Sequence, residues 1–193
     1  MAAPTTTELT RTVDGTEVPA AASYALDASH SDVGFSVRHL MVSKTKGRFA
    51  GVSGTVVIAE DPLESSVDVT IDVASLDTRD ATRDGHLLSP DFFDAEQFPT
   101  ITYRSTKVSP AGKGRWTVDG DLTVHGTTRP VALEVTFEGG AKDPWGGERI
   151  GFTAKAEVDR DDFGLTWNQT LETGGVLIGK AAKIEIEAEA VRQ

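Results

Sequence analysis

The chain has four histidines and no cysteine, so its chemistry rests on imidazoles, carboxylates and bases. His39 belongs to a run in which Val33, Phe35, Val37, His39 and Met41 alternate with Asp32, Gly34, Ser36 and Arg38. Such alternation is a strand with one apolar face, and parity puts the imidazole on that face. There it is either a hydrogen-bonded core histidine or a group that touches a ligand. His30, Ser31 and Asp32 spell the letters of a catalytic triad, but neighbours in a strand point to opposite faces and form no relay. His125 falls in the short connection His125-Gly126-Thr127-Thr128-Arg129-Pro130 and is expected as a turn residue. None of the histidines shows a recognised metal-ligand spacing, so no metal and no catalytic residue is assigned. The absence of thiols excludes disulfides and Cys-based zinc sites.

A second concentration of candidate groups lies in residues 75–100, SLDTRDATRDGHLLSPDFFDAEQFPT, which do not alternate. This insert carries Arg79, Arg83 and His86 close to Phe92 and Phe93. Together with Arg38, Lys44, Lys46 and Arg48, these bases are of the type that clamps an anionic head group. The competing reading pairs them with Asp80, Asp84 and Asp91 at the surface, where such pairs contribute little. Ser89 followed by Pro90 and Asp91 predicts a helix N-terminus, with Pro99 as its stop.

Three motif matches fail on chemistry. Gly174-Gly175-Val176-Leu177-Ile178-Gly179-Lys180 has phosphate-loop spacing, but Ala181 stands where a magnesium-binding hydroxyl belongs and a strand pattern follows. The run from Asp159 to Gly164 imitates a calcium loop, but Phe163 fills a ligand position and Thr170 replaces the closing carboxylate. Asn168-Gln169-Thr170 is a glycosylation sequon, relevant only to a secreted chain.

Period-two patterns dominate the elements that must position these groups. Val67, Val69, Ile71 and Val73 form one set, and Val131, Leu133, Val135 and Phe137 another. Phe152, Ala154, Ala156 and Val158 follow, then Ile184, Ile186, Ala188 and Ala190 opposite Lys183, Glu185, Glu187 and Glu189. With Trp116, Val118, Leu122 and Val124, residues 24–26, 51–59 and 101–108, and the Val33 strand, roughly eight or nine antiparallel strands are expected. Residues 109–114 and 139–147 are predicted as loops. No long amphipathic helix is available to cover the apolar faces, so the sheet must close on itself or stack on another. A barrel of about eight strands can hold a small or narrow ligand. Small inward residues (Gly120, Ala154, Ala156, Ala188 and Ala190) leave such an interior either under-filled or filled by neighbouring strands.

The net charge of −11 excludes the phosphate-neutralising surface of a nucleic-acid binder. No apolar run approaches the ~18 residues that cross a bilayer, so no integral membrane segment is expected. Residues 1–22 lack the parts of a secretory signal and read as a flexible leader, with residues 23–193 as one domain. The chain is expected in the cytoplasm.

Several short motifs recur in a definite order: Asp27-x-x-His30-Ser31, the His39 strand to Gly47-x-Phe49, Ser75-Leu76-Asp77-Thr78, Arg83-Asp84-x-His86-Leu87 and Asp91-Phe92-Phe93-Asp94. Phe98-Pro99-Thr100-Ile101, Gly120-Asp121-Leu122-Thr123-Val124-His125-Gly126 and Arg160-x-Asp162-Phe163-Gly164 follow. In this order the chain resembles the YceI-like family, lipocalin-like proteins associated with polyisoprenoid binding. The resemblance implies an extended all-β antiparallel barrel whose tunnel takes a polyprenyl phosphate or a quinone-type tail. It implies a non-catalytic carrier, with Phe35, Val37, Arg38, His39, Met41, Arg79, Arg83, His86, Phe92 and Phe93 as candidate ligand contacts. No cofactor besides the lipid is expected, and the edge strands allow a homodimer. The alternative is an enzyme acting on such a lipid, with His39 or His30 and a nearby carboxylate as acid–base pair.

Overall fold

The computed structural model describes residues 9–172 and 174–193. Its strands in chain order are β1 (Thr10–Val13), β2 (Thr16–Pro19), β3 (Ala22–Leu26), β4 (Asp32–His39), β5 (Ser43–Phe49), β6 (Val52–Ile58) and β7 (Ser66–Asp72). The remainder are β8 (Leu76–Asp77), β9 (Thr100–Gly112), β10 (Arg115–Val124), β11 (Thr127–Lys142), β12 (Glu148–Asp159) and β13 (Ile178–Arg192), with one helix, α1 (Ala81–Leu88). Strands β3, β6, β7, β9, β10, β11, β12 and β13 close into an antiparallel barrel through the β12–β13 and β13–β3 pairings. This is the all-β barrel expected from the alternating pattern.

The long strand β13 forks the wall. One edge pairs with β12 from Ala181 to Val191. The other edge takes β3 at Ala190, Val191 and Arg192, and β4 between Ile178 and Glu187. Strands β4, β5 and β8 therefore extend the wall as a flap at one end of the barrel. We call the end that holds His39 and Ile178 the upper end.

Local chemistry explains where the chain turns. His125 and Gly126 take left-handed φ values of 51° and 71°, and Val124 pairs directly with Thr127. This is the two-residue hairpin that matches strand twist. Strands β9 and β11 run further than predicted, to Gly112 and Lys142. Register shifts absorb the offending residues: Pro110 lies opposite Trp116 next to one shift, and Gly139, at φ 121°, adjoins another.

The helix lies earlier than expected. Asp80, not Ser89, is its N-cap, accepting from the backbone N–H groups of Thr82 and Arg83, and Ser89 is the C-cap. Within residues 1–22, β1 and β2 form a hairpin, and Val18 is buried. Residues 1–8 lie outside the described residues.

The core is divided by height. Tyr24, Val56, Ile150 and Ala190 form a core cluster at the lower end. Above them, inward residues such as Val33, Phe35, Val69, Leu133 and Val135 remain half-buried although they face the interior. They are exposed to internal space, not to bulk solvent.

Candidate functional site

That internal space is a cavity of about 490 Å³. Its wall draws Val33, Phe35 and Val37 from β4, Val67, Val69 and Ile71 from β7, and Val131, Leu133, Val135 and Phe137 from β11. Strand β13 adds Ala182, Ile184, Ile186 and Ala188, while Val18 and Pro19 of the N-terminal hairpin lie against the lower part. Waters in this space would each need two to four polar partners that such a wall does not supply. The space suits hydrocarbon. Not every small residue contributes to it. Ala154 and Ala188 line the cavity, but a Cβ on Gly120 would fall 2.5 Å from the Tyr103 ring, which already fills that place.

The cationic and imidazole groups of the lining gather at the upper end. Arg38, His39, Arg83, His86 and Arg160 all border the cavity there. His39 is the last residue of β4 and pairs with Ile178. Arg83 is held by its own turn: Nε donates to Thr78 Oγ1 at 2.8 Å and Nη2 to Thr78 O at 2.8 Å. The His86 ring stands edge-on to Phe92 and Trp167, with its Nε2 2.9 Å from Asp91 Oδ2. Helix α1 and the Phe92–Phe93 turn therefore bring a donor-rich rim against aromatic rings.

Arg160 was not among the candidates from sequence. It is 5% exposed, and its Nε donates to Gly179 O at 2.9 Å. Its Nη1 donates to the carbonyls of Leu165 and Trp167. These acceptors are neutral, and among the described residues its Nη2 has no protein partner. Burial lowers its pKa, with Asp161 and Asp159 opposing that shift. The signal was present in the sequence: the inward parity of Val158 continues to Arg160.

The other candidates fall elsewhere. Met41 is 62% exposed because the chain reverses at Leu40 and Met41, which leaves the alternation of β4. Arg79 sits at φ 63° beyond β8, exposed and away from the cavity wall. Lys44, Lys46 and Arg48 are exposed on β5. His125 packs against Phe98, with ring centroids 4.7 Å apart.

His30 belongs to an ionic cluster outside the cavity. Its Nδ1 lies 2.8 Å from Asp27 Oδ2 and 3.1 Å from Ser29 Oγ. One nitrogen meets both groups, whereas a triad histidine uses both of its nitrogens. Asp27, His30 and Glu189 bring ligand-type atoms within 4.8 Å of one another. Arg149 Nη1 already occupies that position, 2.7 Å from Asp27 Oδ2 and 2.5 Å from Glu189 Oε1. Hydrogen bonds from Ser29, Arg149 and His30 hold the Asp27 carboxyl well below the usual range.

Comparison with known proteins agrees with this architecture. The YceI-like domain matches residues 24–190. A UPF0312 protein of Vibrio parahaemolyticus is 43% identical over 148 residues, covering 75% of this chain and 78% of the relative. Among solved structures, a Campylobacter jejuni YceI protein is 33% identical, with a TM-score of 0.68 over 87% of this chain and 96% of that one. Burkholderia cenocepacia BcnA has a TM-score of 0.75 at 24% identity, over 85% of this chain and 98% of that one. A polyisoprenoid binding domain from Saccharophagus degradans has a TM-score of 0.65 at 16% identity, over 90% of this chain and the whole of that one. An apolar-walled antiparallel barrel and a match across nearly the whole domain lead to one assignment: the chain belongs to the YceI-like family.

Proposed function

We propose that the barrel binds one long-chain isoprenoid-type lipid and releases it chemically unchanged. The supporting observation is the cavity of about 490 Å³, with hydrocarbon walls and its cationic groups at one end. A polyprenyl or quinone tail gains roughly 0.8 kcal/mol for each CH2 it buries, so the wall alone supplies affinity. The head group, a phosphate or a quinone carbonyl, would rest among Arg160, Arg83, His39 and His86. Similarity to a domain named for polyisoprenoid binding supports the choice of tail.

An acid–base enzyme finds less support. His39 has no hydrogen-bonded carboxylate among the described residues, and His30 meets Asp27 outside the cavity. The pair His86–Asp91 at the rim is the arrangement nearest to such chemistry. Mass spectrometry of an organic extract of the purified protein, followed by reloading with the extracted lipid and a second extraction, tests the proposal. A stoichiometric polyprenyl or quinone species recovered intact from both extractions supports it. An empty extract from protein made in its native source, or a lipid altered after reloading, overturns it.

A further inference from the structure

The turn between β4 and β5 projects beyond the last ladder pair of the upper end, and it is built against three local rules. Leu40, Met41 and Val42 are 39%, 62% and 80% exposed, a run of apolar side chains in solvent. Val176 of the β12–β13 connection is 39% exposed, next to Leu177, whose carbonyl accepts from the Leu40 N–H. Leu40 and Met41 also occupy consecutive left-handed positions, at φ 51° and 59°. Turns with that backbone favour Asn-Gly, and a bulky residue there is strained.

The third rule concerns charge. Arg38 lies directly opposite Lys44 in the β4–β5 ladder, an arrangement of like charges that repels. Lys46 follows on the same strand, and Arg38, Lys44 and Lys46 are exposed without an ion pair among the described residues. From residue 33 to residue 59 the sequence has no Asp or Glu, although the whole chain carries −11. An apolar tip ringed by unpaired bases, on an otherwise acidic molecule, is complementary to an anionic lipid surface.

We infer that residues 40–42 dock the protein on anionic bilayers, with Leu40, Met41 and Val42 inserted among the acyl chains and Arg38, Lys44 and Lys46 at the head groups. Docking places the cavity rim against the membrane, because His39, Thr45 and Ile178 line the cavity immediately beside the tip. The surface stands independently of what the cavity holds: membrane docking and lipid binding can each fail without the other.

The test is co-sedimentation of the full chain with vesicles of phosphatidylglycerol and phosphatidylcholine, against vesicles of phosphatidylcholine alone. Binding is expected only to the anionic vesicles and to weaken with added salt. The double variant Lys44→Glu/Lys46→Glu should lose at least about fivefold in affinity for each base removed. The variant Leu40→Asn/Met41→Gly/Val42→Thr installs the preferred turn residues, so it should melt no lower than the parent while losing vesicle binding. A parent chain that ignores anionic vesicles overturns the inference, as does a turn variant that binds like the parent. Light scattering that shows a dimer in the parent and a monomer in the turn variant also overturns it, in favour of a second copy on this surface.

Discussion

Ala188 offers a quantitative test of whether the interior is under-filled. It lies on β13 opposite Phe152, beside the point where the wall passes from β3 to β4, and faces the cavity. Replacing it with Leu adds three carbons to space that has no protein atoms. At roughly 0.8 kcal/mol per buried CH2 the gain is about 2.4 kcal/mol. Ordering the Leu side chain costs about 0.5–1 kcal/mol, which leaves about 1.5 kcal/mol. For a domain of this size that raises Tm by about 3–6 °C in protein stripped of lipid. The same three carbons exclude an equal length of ligand, and about 2.4 kcal/mol corresponds to roughly fiftyfold weaker binding. Thermal melts of delipidated parent and Ala188→Leu, with titration of a polyprenyl phosphate into both, read the two effects together. The reasoning fails if the variant is destabilised by the roughly 1–3 kcal/mol that overpacking costs, because the site would then already be full.

Arg160→Met should remove discrimination between lipid head groups. A charge-assisted hydrogen bond contributes about 1.5–3 kcal/mol, so competition of a polyprenyl phosphate against the corresponding alcohol should show a roughly ten- to hundredfold preference in the parent and little in the variant. Unchanged preference would place the head group elsewhere. Gly120→Ala puts a methyl 2.5 Å from Tyr103 Cζ and 2.6 Å from Arg104 O, a clash expected to cost about 1–3 kcal/mol in a urea melt; an unaltered midpoint would refute the close packing. The Asp27 and Asp143 carboxyls are both held below their usual range, with Arg149 donating to each. A depressed folded pKa stabilises above the unfolded value of about 3.9 and loses that contribution as pH falls through the folded value. Stability should therefore decline below about pH 4, and Arg149→Met should flatten that decline while lowering stability at neutral pH; an identical acid limb in the variant would dismiss the cluster as a determinant.

Strand faces were legible wherever one side chain set is charged and the other apolar. In β13 the alternation of Ile184 and Ile186 with Glu185 and Glu187 assigns inside and outside without a neighbour. What a face meets is not written in the strand itself. Gly120 reads as a gap, and only the β9–β10 pairing brings the Tyr103 ring over it. Ser89 before Pro90 reads as an N-cap, yet the helix begins at Ala81. The deciding contact, Asp80 bonding to the N–H groups of Thr82 and Arg83, leaves Ser89 to end the helix. At the rim, parity led correctly as far as His39 and then failed at Met41, where consecutive left-handed residues break the alternation. Arg160 continues the inward parity of Val158 just beyond the end of β12 and borders the cavity.

The two ends of the barrel break local rules in different ways, and the difference bears on the proposed function. At the lower end the chain turns where its residues favour turning: Asp14-Gly15 takes left-handed φ values of 51° and 77°, and Lys113 is flanked by Gly112 and Gly114. That end has an exception of its own, since Trp145 in the β11–β12 turn is 89% exposed. At the upper end Leu and Met occupy positions suited to Asn and Gly, Arg38 faces Lys44, and a guanidinium is buried on neutral carbonyls beside an apolar cavity. Each feature lowers stability by itself, and none is needed to close the sheet. Sequences that fold are locally consistent except where function demands otherwise. At the upper rim the exceptions lie where the cavity meets its bases, which is where the proposed exchange of ligand would take place.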